Sequence, residues 1–279
     1  MSGGAERRSN FFLGFLLLPR AKREALSALY AYCRLIDDIV DSGSLSKDEA
    51  RRMLDFWRAE IGRLFDGKPT HSVAQALVRP IADYKIPREP FDEMIRGCAL
   101  DLEGTRYETI EDLEGYMRGV ASSVGVMCVH VFGWVYTPRE RMMEFAQTFG
   151  YAFQLTNILR DVGADLEMGR VYLPQQEIRD CGYTVERLIH RDHGPGFDRL
   201  MEGQYRRAKT YYARARNLLD FRDRPAQLPA EIMAHVYEGL LDEIKAGQFR
   251  VLYQKTSLPG YRKAALAARA LLYCYGLGY

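Results

Sequence analysis

The chain has 279 residues, 47% hydrophobic and 27% charged, with a formal net charge of +2. That balance is ordinary for a globular protein. With no concentrated basic block it excludes a dedicated nucleic-acid binder. The length admits one large domain or two small ones. No Ser/Gly-rich linker divides the chain, so one all-α domain over 1–279 is expected.

Taken from the N-terminus, the apolar run Phe11 to Leu18 lacks the order of a signal peptide and is too short to span a bilayer. Beyond it, helical periodicity fills almost every long segment and strand-like alternation is scarce. The pattern predicts helices over 21–41, 47–66, 71–84, 88–102, 109–133, 138–165, 197–220, 229–247 and 259–274. Ser42-Gly43 closes the first and Ser46 caps the second. Gly67-Lys68-Pro69, Ile86-Pro87, Tyr136-Thr137-Pro138, Gly194-Pro195-Gly196 and Arg224-Pro225 punctuate the rest. The stretch 166–196 reads as the longest irregular region, with a short helix at 174–179. The apolar, aromatic tail Leu271–Tyr279 is expected to pack on the body, with loose membrane contact as the alternative. Five scattered cysteines (Cys33, Cys98, Cys128, Cys181, Cys274) show no metal-ligand spacing. They read as reduced core thiols of a cytoplasmic protein.

Two segments carry the chemistry. In Arg34-Leu35-Ile36-Asp37-Asp38-Ile39-Val40-Asp41, Asp37 and Asp41 share one helix face. In Gln154 to Asp165, Asn157, Asp161 and Asp165 form one polar stripe, which Gln154 roughly shares. Apolar Leu155, Ile158, Leu159 and Val162 bury the rest of that helix. A solvated face would carry Glu and Lys rather than poor helix formers such as Asn and Asp. Carboxylates this close repel one another unless a cation neutralises them. Two such pairs can hold Mg²⁺, which completes its shell with water and phosphate oxygens. An enzyme acting on a diphosphate is therefore expected, with the acidic helices meeting across a central cavity. Tyr30 and Arg34 precede Asp37 by successive turns, Arg160 adjoins Asp161, and Arg170 and Tyr172 follow in the irregular stretch. Arginine's planar fork suits phosphate oxygens, though each basic residue taken singly reads equally as a salt-bridge partner. Tyr116 precedes a small-residue helix (Gly119, Ala121, Ser122, Ser123, Gly125), which allows either close packing or room for a ligand.

Together these residues resemble the squalene/phytoene synthase family, the head-to-head prenyl synthases, over nearly the whole chain. Asn10-Phe11-Phe12 through Pro19 is similar to its N-terminal stretch, and Ala28 through Asp41 to its first aspartate-rich motif. Asp101-Leu102-Glu103-Gly104-Thr105-Arg106-Tyr107 resembles a mid-chain element. Gln154 through Asp165, continued by Gly169-Arg170-Val171-Tyr172-Leu173-Pro174, is the most specific piece. The resemblance implies an all-α isoprenoid-synthase-type bundle around a central cavity. It implies Mg²⁺-assisted loss of diphosphate from one prenyl diphosphate, attack by a second, and a cyclopropyl diphosphate intermediate. A second ionisation follows in some members, and NADPH enters only where the second step is reductive. By matching position, Asp37, Asp41, Asp161 and Asp165 would bind metal–diphosphate, with Asn157 on the same stripe. Arg34, Arg160, Arg170, Tyr30 and Tyr172 would contact diphosphate or shape the site. Gln154, Asn157, Tyr116, Val120, Ala121, Val124, Phe11 and Tyr237 would line the prenyl cavity or sit at the reacting centre. Released diphosphate and Tyr237 are the candidates for proton acceptor.

Within the family, Arg118-Gly119-Val120-Ala121-Ser122-Ser123-Val124-Gly125 through Gly133 resembles bacterial presqualene diphosphate synthases. The expectation is thus condensation of two farnesyl diphosphates to presqualene diphosphate, or on to squalene. Phytoene synthesis from geranylgeranyl diphosphate is the runner-up, with dehydrosqualene or hydroxysqualene formation beside it. A hydrolase, a terpene cyclase and an inactive helical assembly factor are the other classes weighed. Release of an apolar product suggests contact with the inner face of a membrane. Oligomeric state and the residue at the cavity floor are not legible.

Overall fold

The computed structural model describes residues 18–41, 43–104 and 106–276. Phe11 and the N-terminal stretch lie outside the described residues, as do Ser42, Thr105 and 277–279. The described residues form α-helices joined by short turns, with no strand among them. In chain order these are α1 (Arg20–Asp41), α2 (Lys47–Phe65), α3 (Ser72–Tyr84), α4 (Glu89–Glu103), α5 (Ile110–Met117), a π-helical segment (Arg118–Ser122), α6 (Ser123–Phe132) and α7 (Arg139–Glu167). There follow α8 (Gln175–Asp180), α9 (Val185–Ile189), α10 (Pro195–Leu218), α11 (Leu228–Ala246) and α12 (Gly260–Tyr275).

Local chemistry starts and stops these helices. Ser46 and Glu49 form a reciprocal capping box at α2, and Thr109 with Asp112 does the same at α5. Apolar residues at three- and four-residue spacing on α1 (Leu26, Leu29, Tyr32, Cys33, Ile36) bury one face. They join α2, α3, α4 and α6 in one apolar cluster. A second cluster forms around α7, α10 and α11. Val120 and Ala230 pack against both clusters, so the space between them is where a cavity opens.

Three expectations are corrected. The span 109–133 is not one helix: Arg118–Ser122 is π-helical. That segment is clamped on both sides by backbone. A Cβ on Gly119 would stand 2.5 Å from the Gly97 Cα of α4, and one on Gly150 of α7 would stand 2.4 Å from the Ser122 Cα. Such π turns are frequent at functional sites, and periodicity alone carries no signal for one. The 166–196 stretch holds a second helix, α9, capped by the Thr184 hydroxyl. It is too short to show a period. The tail is only partly docked: Ala270 and Cys274 of α12 pack on Leu228 and Ile232, while Leu272 and Tyr275 stay exposed. All five cysteines are free, with Cys181 only half-buried.

Because Gly97 and Gly119 touch backbone to backbone, Gly119→Ala should overpack the crossing. Denaturant unfolding is expected to show a loss of about 1–3 kcal/mol.

Candidate active site

The polar part of the site is a cavity of about 210 Å³. α1 presents Arg34, Asp37 and Asp41 to it, and α7 presents Gln154, Asn157, Asp161 and Asp165. Asp101 of α4, Tyr116 of α5, and Arg170 and Tyr172 from the turn after α7 complete the wall. The two acidic pairs, 120 residues apart in sequence, thus line one space.

Cations hold the carboxylates. Arg34 bridges Asp37 at 3.2 Å and Asp38 at 2.6 Å. Arg170 Nη1 donates to Asp41 Oδ1 at 2.7 Å, which ties the loop after α7 to the end of α1. Arg160 grips both oxygens of Asp161. Lys255 Nζ lies 3.8 Å from Asp161 Oδ1. Of the two roles expected for Arg160, contacting diphosphate or shaping the site, its placement favours the second. Its guanidinium is buried, and its side chain lines a different hollow with Val236 and Leu240. It therefore positions Asp161 from behind. Asp38 turns away from the cavity wall and serves Arg34.

Beside the acidic walls sits a tyrosine cluster organised by Asp101. Tyr172 donates to Asp101 Oδ1 at 2.8 Å and Tyr116 to Oδ2 at 3.0 Å. The two rings stack with centroids 5.2 Å apart, and Tyr107 lies 5.4 Å from Tyr116. Burial raises the Asp101 pKa, while the two phenols and Arg170 oppose the rise. Burial, with Asp101 next, pushes Tyr116 and Tyr172 well above the usual phenol range. Both are neutral hydroxyls at physiological pH, able to orient and polarise but not to act as phenolate bases. Burial works against the Arg170 charge, yet Tyr172, Asp41 and Asp101 raise its pKa overall. Asp101 and Lys255 beside the acidic walls, and Met233, Phe132, Phe145, Phe149 and Phe153 on the apolar one, are residues that motif reasoning did not single out. The carboxylate opening Asp101-Leu102-Glu103-Gly104 was the only available signal for the first, and Lys255 gave none.

The polar cavity continues into an apolar one of about 220 Å³, sharing Tyr30, Val120, Val124, Gln154 and Asn157 with it. Ala121, Gly125 and Cys128 carry its wall inward, and Met233 and Tyr237 of α11 face them. The Cys128 thiol is pushed up to about 12 by burial, so it is inert lining. Phe132, Phe145 and Phe149 also line this cavity. Along α6, Phe132 lies eight residues beyond Val124, about 12 Å at the helical rise. The Tyr237 ring stands edge-on to Phe153 at 5.3 Å. Close packing at Gly119 and cavity lining at Val120, Ala121 and Val124 therefore coexist on one segment.

Whether this site suits a divalent cation can be asked of its donors. Among the described residues, no group of three or more carboxylate, imidazole or thiol side chains is arranged to hold a metal ion alone. The expected convergence of four aspartates on one cluster is thus not met by protein ligands only. The donors themselves are hard oxygens facing one cavity. Asn157 Oδ1 is buried without a hydrogen-bond partner, at the junction of the two cavities. An orphaned acceptor there suits a cation or a donor that arrives with substrate. Mg²⁺ is commonly held by one or two carboxylates plus water and phosphate, so the residues fit.

Comparison with known proteins agrees. The squalene/phytoene synthase family pattern matches residues 5–262. The chain is 35% identical to a 15-cis-phytoene synthase of Synechococcus elongatus over 277 residues, covering 96% of this chain and 90% of that one. It is 33% identical to a phytoene synthase of Arthrospira platensis, covering 96% and 91%. A dehydrosqualene synthase structure superposes with a TM-score of 0.84 at 28% identity, covering 96% of this chain and 92% of that one. A squalene synthase from Alicyclobacillus acidocaldarius superposes at 0.78 and 28% identity, covering 86% and 89%. The chain belongs to the squalene/phytoene synthase family.

The ion pairs separate two aspartate substitutions. Asp37→Ala should abolish turnover with an unchanged melting temperature. Asp161→Ala should also abolish turnover but break the buried ion pair with Arg160, costing up to about 3–5 kcal/mol in denaturant unfolding. Asp101→Asn leaves one phenol facing an amide donor, so kcat should fall by up to about a hundredfold. Because burial raises Asp101, acid protonates it before an ordinary aspartate. The wild-type acid limb of kcat should therefore lie at higher pH than that of Asp101→Asn, whose remaining limb belongs to the other cavity aspartates.

Proposed function

We propose, on the premise of that family membership, that this chain couples two prenyl diphosphates head to head through a cyclopropyl diphosphate. The observation that carries this reading is the junction of an acidic, arginine-bearing cavity with an apolar one at Tyr30, Val120, Val124, Gln154 and Asn157. A prenyl diphosphate has the same two-part character. Arg34 and Arg170 supply planar forks for phosphate oxygens once substrate competes for their aspartate partners. Magnesium bound by Asp37, Asp41, Asp161, Asp165 and the Asn157 amide oxygen would neutralise the departing diphosphate. The apolar wall excludes the water that would quench an allylic cation. The Tyr30, Phe153 and Tyr237 rings stand near enough to stabilise positive charge, at roughly 0.5–2 kcal/mol each. Asp101 holds the Tyr116 and Tyr172 hydroxyls in place, and burial keeps them neutral, beside the diphosphate end. Tyr116 and Tyr172, as neutral, buried phenols, are poor bases, which leaves released diphosphate and Tyr237 as the candidates for proton acceptor.

Chain length rests on two sets of observations. The curated relatives at 33–35% identity are named phytoene synthases, which supports geranylgeranyl diphosphate as substrate. That reading stands ahead of the farnesyl expectation drawn from Arg118 to Gly133. The farnesyl reading keeps one specific support: the bulky rings of Phe132, Phe145 and Phe149 line the apolar cavity and would shorten the chain it accepts. Presqualene diphosphate, or squalene if NADPH is used, would then be the product.

The test is product analysis. Purified protein is incubated with Mg²⁺ and either farnesyl or geranylgeranyl diphosphate, with and without NADPH, and the lipids are identified. A coupled product is expected. Forty carbons supports the phytoene reading and thirty the farnesyl one, and no coupled product from either contradicts both. If these rings set length, Phe132→Ala should raise kcat/KM for geranylgeranyl relative to farnesyl diphosphate by about tenfold or more, within the range of pocket discrimination.

A further inference from the structure

We propose that α12 is a membrane-docking helix whose outward face binds the surface of an anionic lipid bilayer. The helix is apolar on two sides. Its inner side packs through Ala270 and Cys274 on Leu228 and Ile232 of α11. Its outer side consists of Tyr261, Ala264, Ala265, Ala268, Leu271, Leu272 and Tyr275, every one exposed. At 100° per residue these seven positions fall within one arc of about 120°. The exposure is substantial: 76% for Tyr261 and 55% for Tyr275 at the two ends, 45% for Leu272 between them. A surface helix of a globular protein turns charged residues outward, and a contiguous exposed apolar stripe marks a binding surface.

Charge selects the occupant. α12 carries Arg262, Lys263 and Arg269 and no acidic residue. Arg262 and Arg269 fall together at one edge of the apolar arc, the place from which a long cationic side chain reaches headgroups. Arg262 also pairs with Glu243 of α11, which fixes the helix to the body. Tyrosines at both ends suit the boundary between headgroups and acyl chains. An apolar face bordered by cations is the pattern of a helix lying in the plane of an anionic membrane.

The neighbouring turn carries further exposed apolar side chains. Tyr273 lies under the Arg224 guanidinium at 4.4 Å, which ties the last turn of α12 to the 221–225 segment. There Phe221 and Tyr136 are exposed with Arg222 over the Tyr136 ring at 4.1 Å. Val135 beside them is 80% exposed. The Asp223 carboxylate accepts the backbone amides of Val135, Tyr136 and Thr137, so this apolar tip is held and not merely frayed. α11 separates α12 from the apolar cavity by one helix: Leu228 and Ile232 face α12, and Ala230 and Met233 face the cavity. Among the described residues, no helix is long and apolar enough to cross a membrane, so the contact proposed is with its surface.

The test is co-sedimentation of the full chain with vesicles, which needs no turnover and so stands or falls separately from the catalytic reading. Vesicles of phosphatidylcholine with phosphatidylglycerol should bind the protein, and vesicles of phosphatidylcholine alone should bind it at least tenfold more weakly. The triple variant Leu271→Ser, Leu272→Ser, Tyr275→Ser should lose binding at least tenfold while keeping its circular-dichroism melt and detergent-assayed activity. Arg269→Glu should lose anionic selectivity with the apolar face intact. Undiminished binding by a folded triple variant, or no vesicle binding by wild type, overturns the proposal. A wild-type dimer that the triple variant dissolves also overturns it, by assigning the face to a second copy of the chain.

Discussion

Everything in this molecule is arranged around the mutual repulsion of aspartates brought to one cavity from α1 and α7. Like charges at this range cannot share a space without compensation, and the structure supplies it with cations drawn from elsewhere in the chain. Arg34 comes from the same helix as Asp37, Arg170 reaches Asp41 from the turn after α7, and Arg160 backs Asp161. The two apolar clusters hold α1 and α7 in place, with the π-helical segment clamped between α4 and α7. The fold thus stabilises an electrostatic arrangement that isolated helices would reject. Arg34 and Arg170 are the cations on the cavity side, positioned to exchange aspartate for phosphate oxygens.

The second organising feature is the abrupt change in polarity where the cavities meet. On one side the Asp101 carboxylate accepts from two phenols, whose hydroxyls burial keeps neutral. On the other the lining is Val, Ala, Phe and Met. Asn157, with its unpartnered Oδ1, stands on the boundary. Electrostatic interactions strengthen as water is excluded, so charge separation at the polar end and cation survival at the apolar end depend on the same boundary.

Much of this was legible in the sequence. Asp37 with Asp41, and Asn157 with Asp161 and Asp165, could be assigned to shared faces because i, i+4 spacing on a helix fixes direction. The helices were legible because their apolar periods are long. What escaped had no local signature. The π turn at Arg118–Ser122 follows from backbone contacts to Gly97 and Gly150, residues distant in sequence. The role of Arg160 depends on which side of α7 meets α11. Asp101 gathers Tyr116 and Tyr172 from 15 and 71 residues away. The outward face of α12 became visible only when Ala270 and Cys274 were seen to be the buried side. Resemblance placed the chain in its family, while the finer leaning toward presqualene diphosphate synthases rested on one small-residue segment. The curated relatives point instead to phytoene synthases.

The central claim is that the aspartates of α1 and α7 act as one diphosphate site. A double-mutant cycle tests it directly: calorimetric binding of inorganic diphosphate with Mg²⁺ to wild type, Asp37→Asn, Asp161→Asn and the double variant. A single site predicts strong non-additivity, with the double variant binding little worse than either single one and a coupling energy of about 1 kcal/mol or more. Additive losses from two independent helices would contradict it.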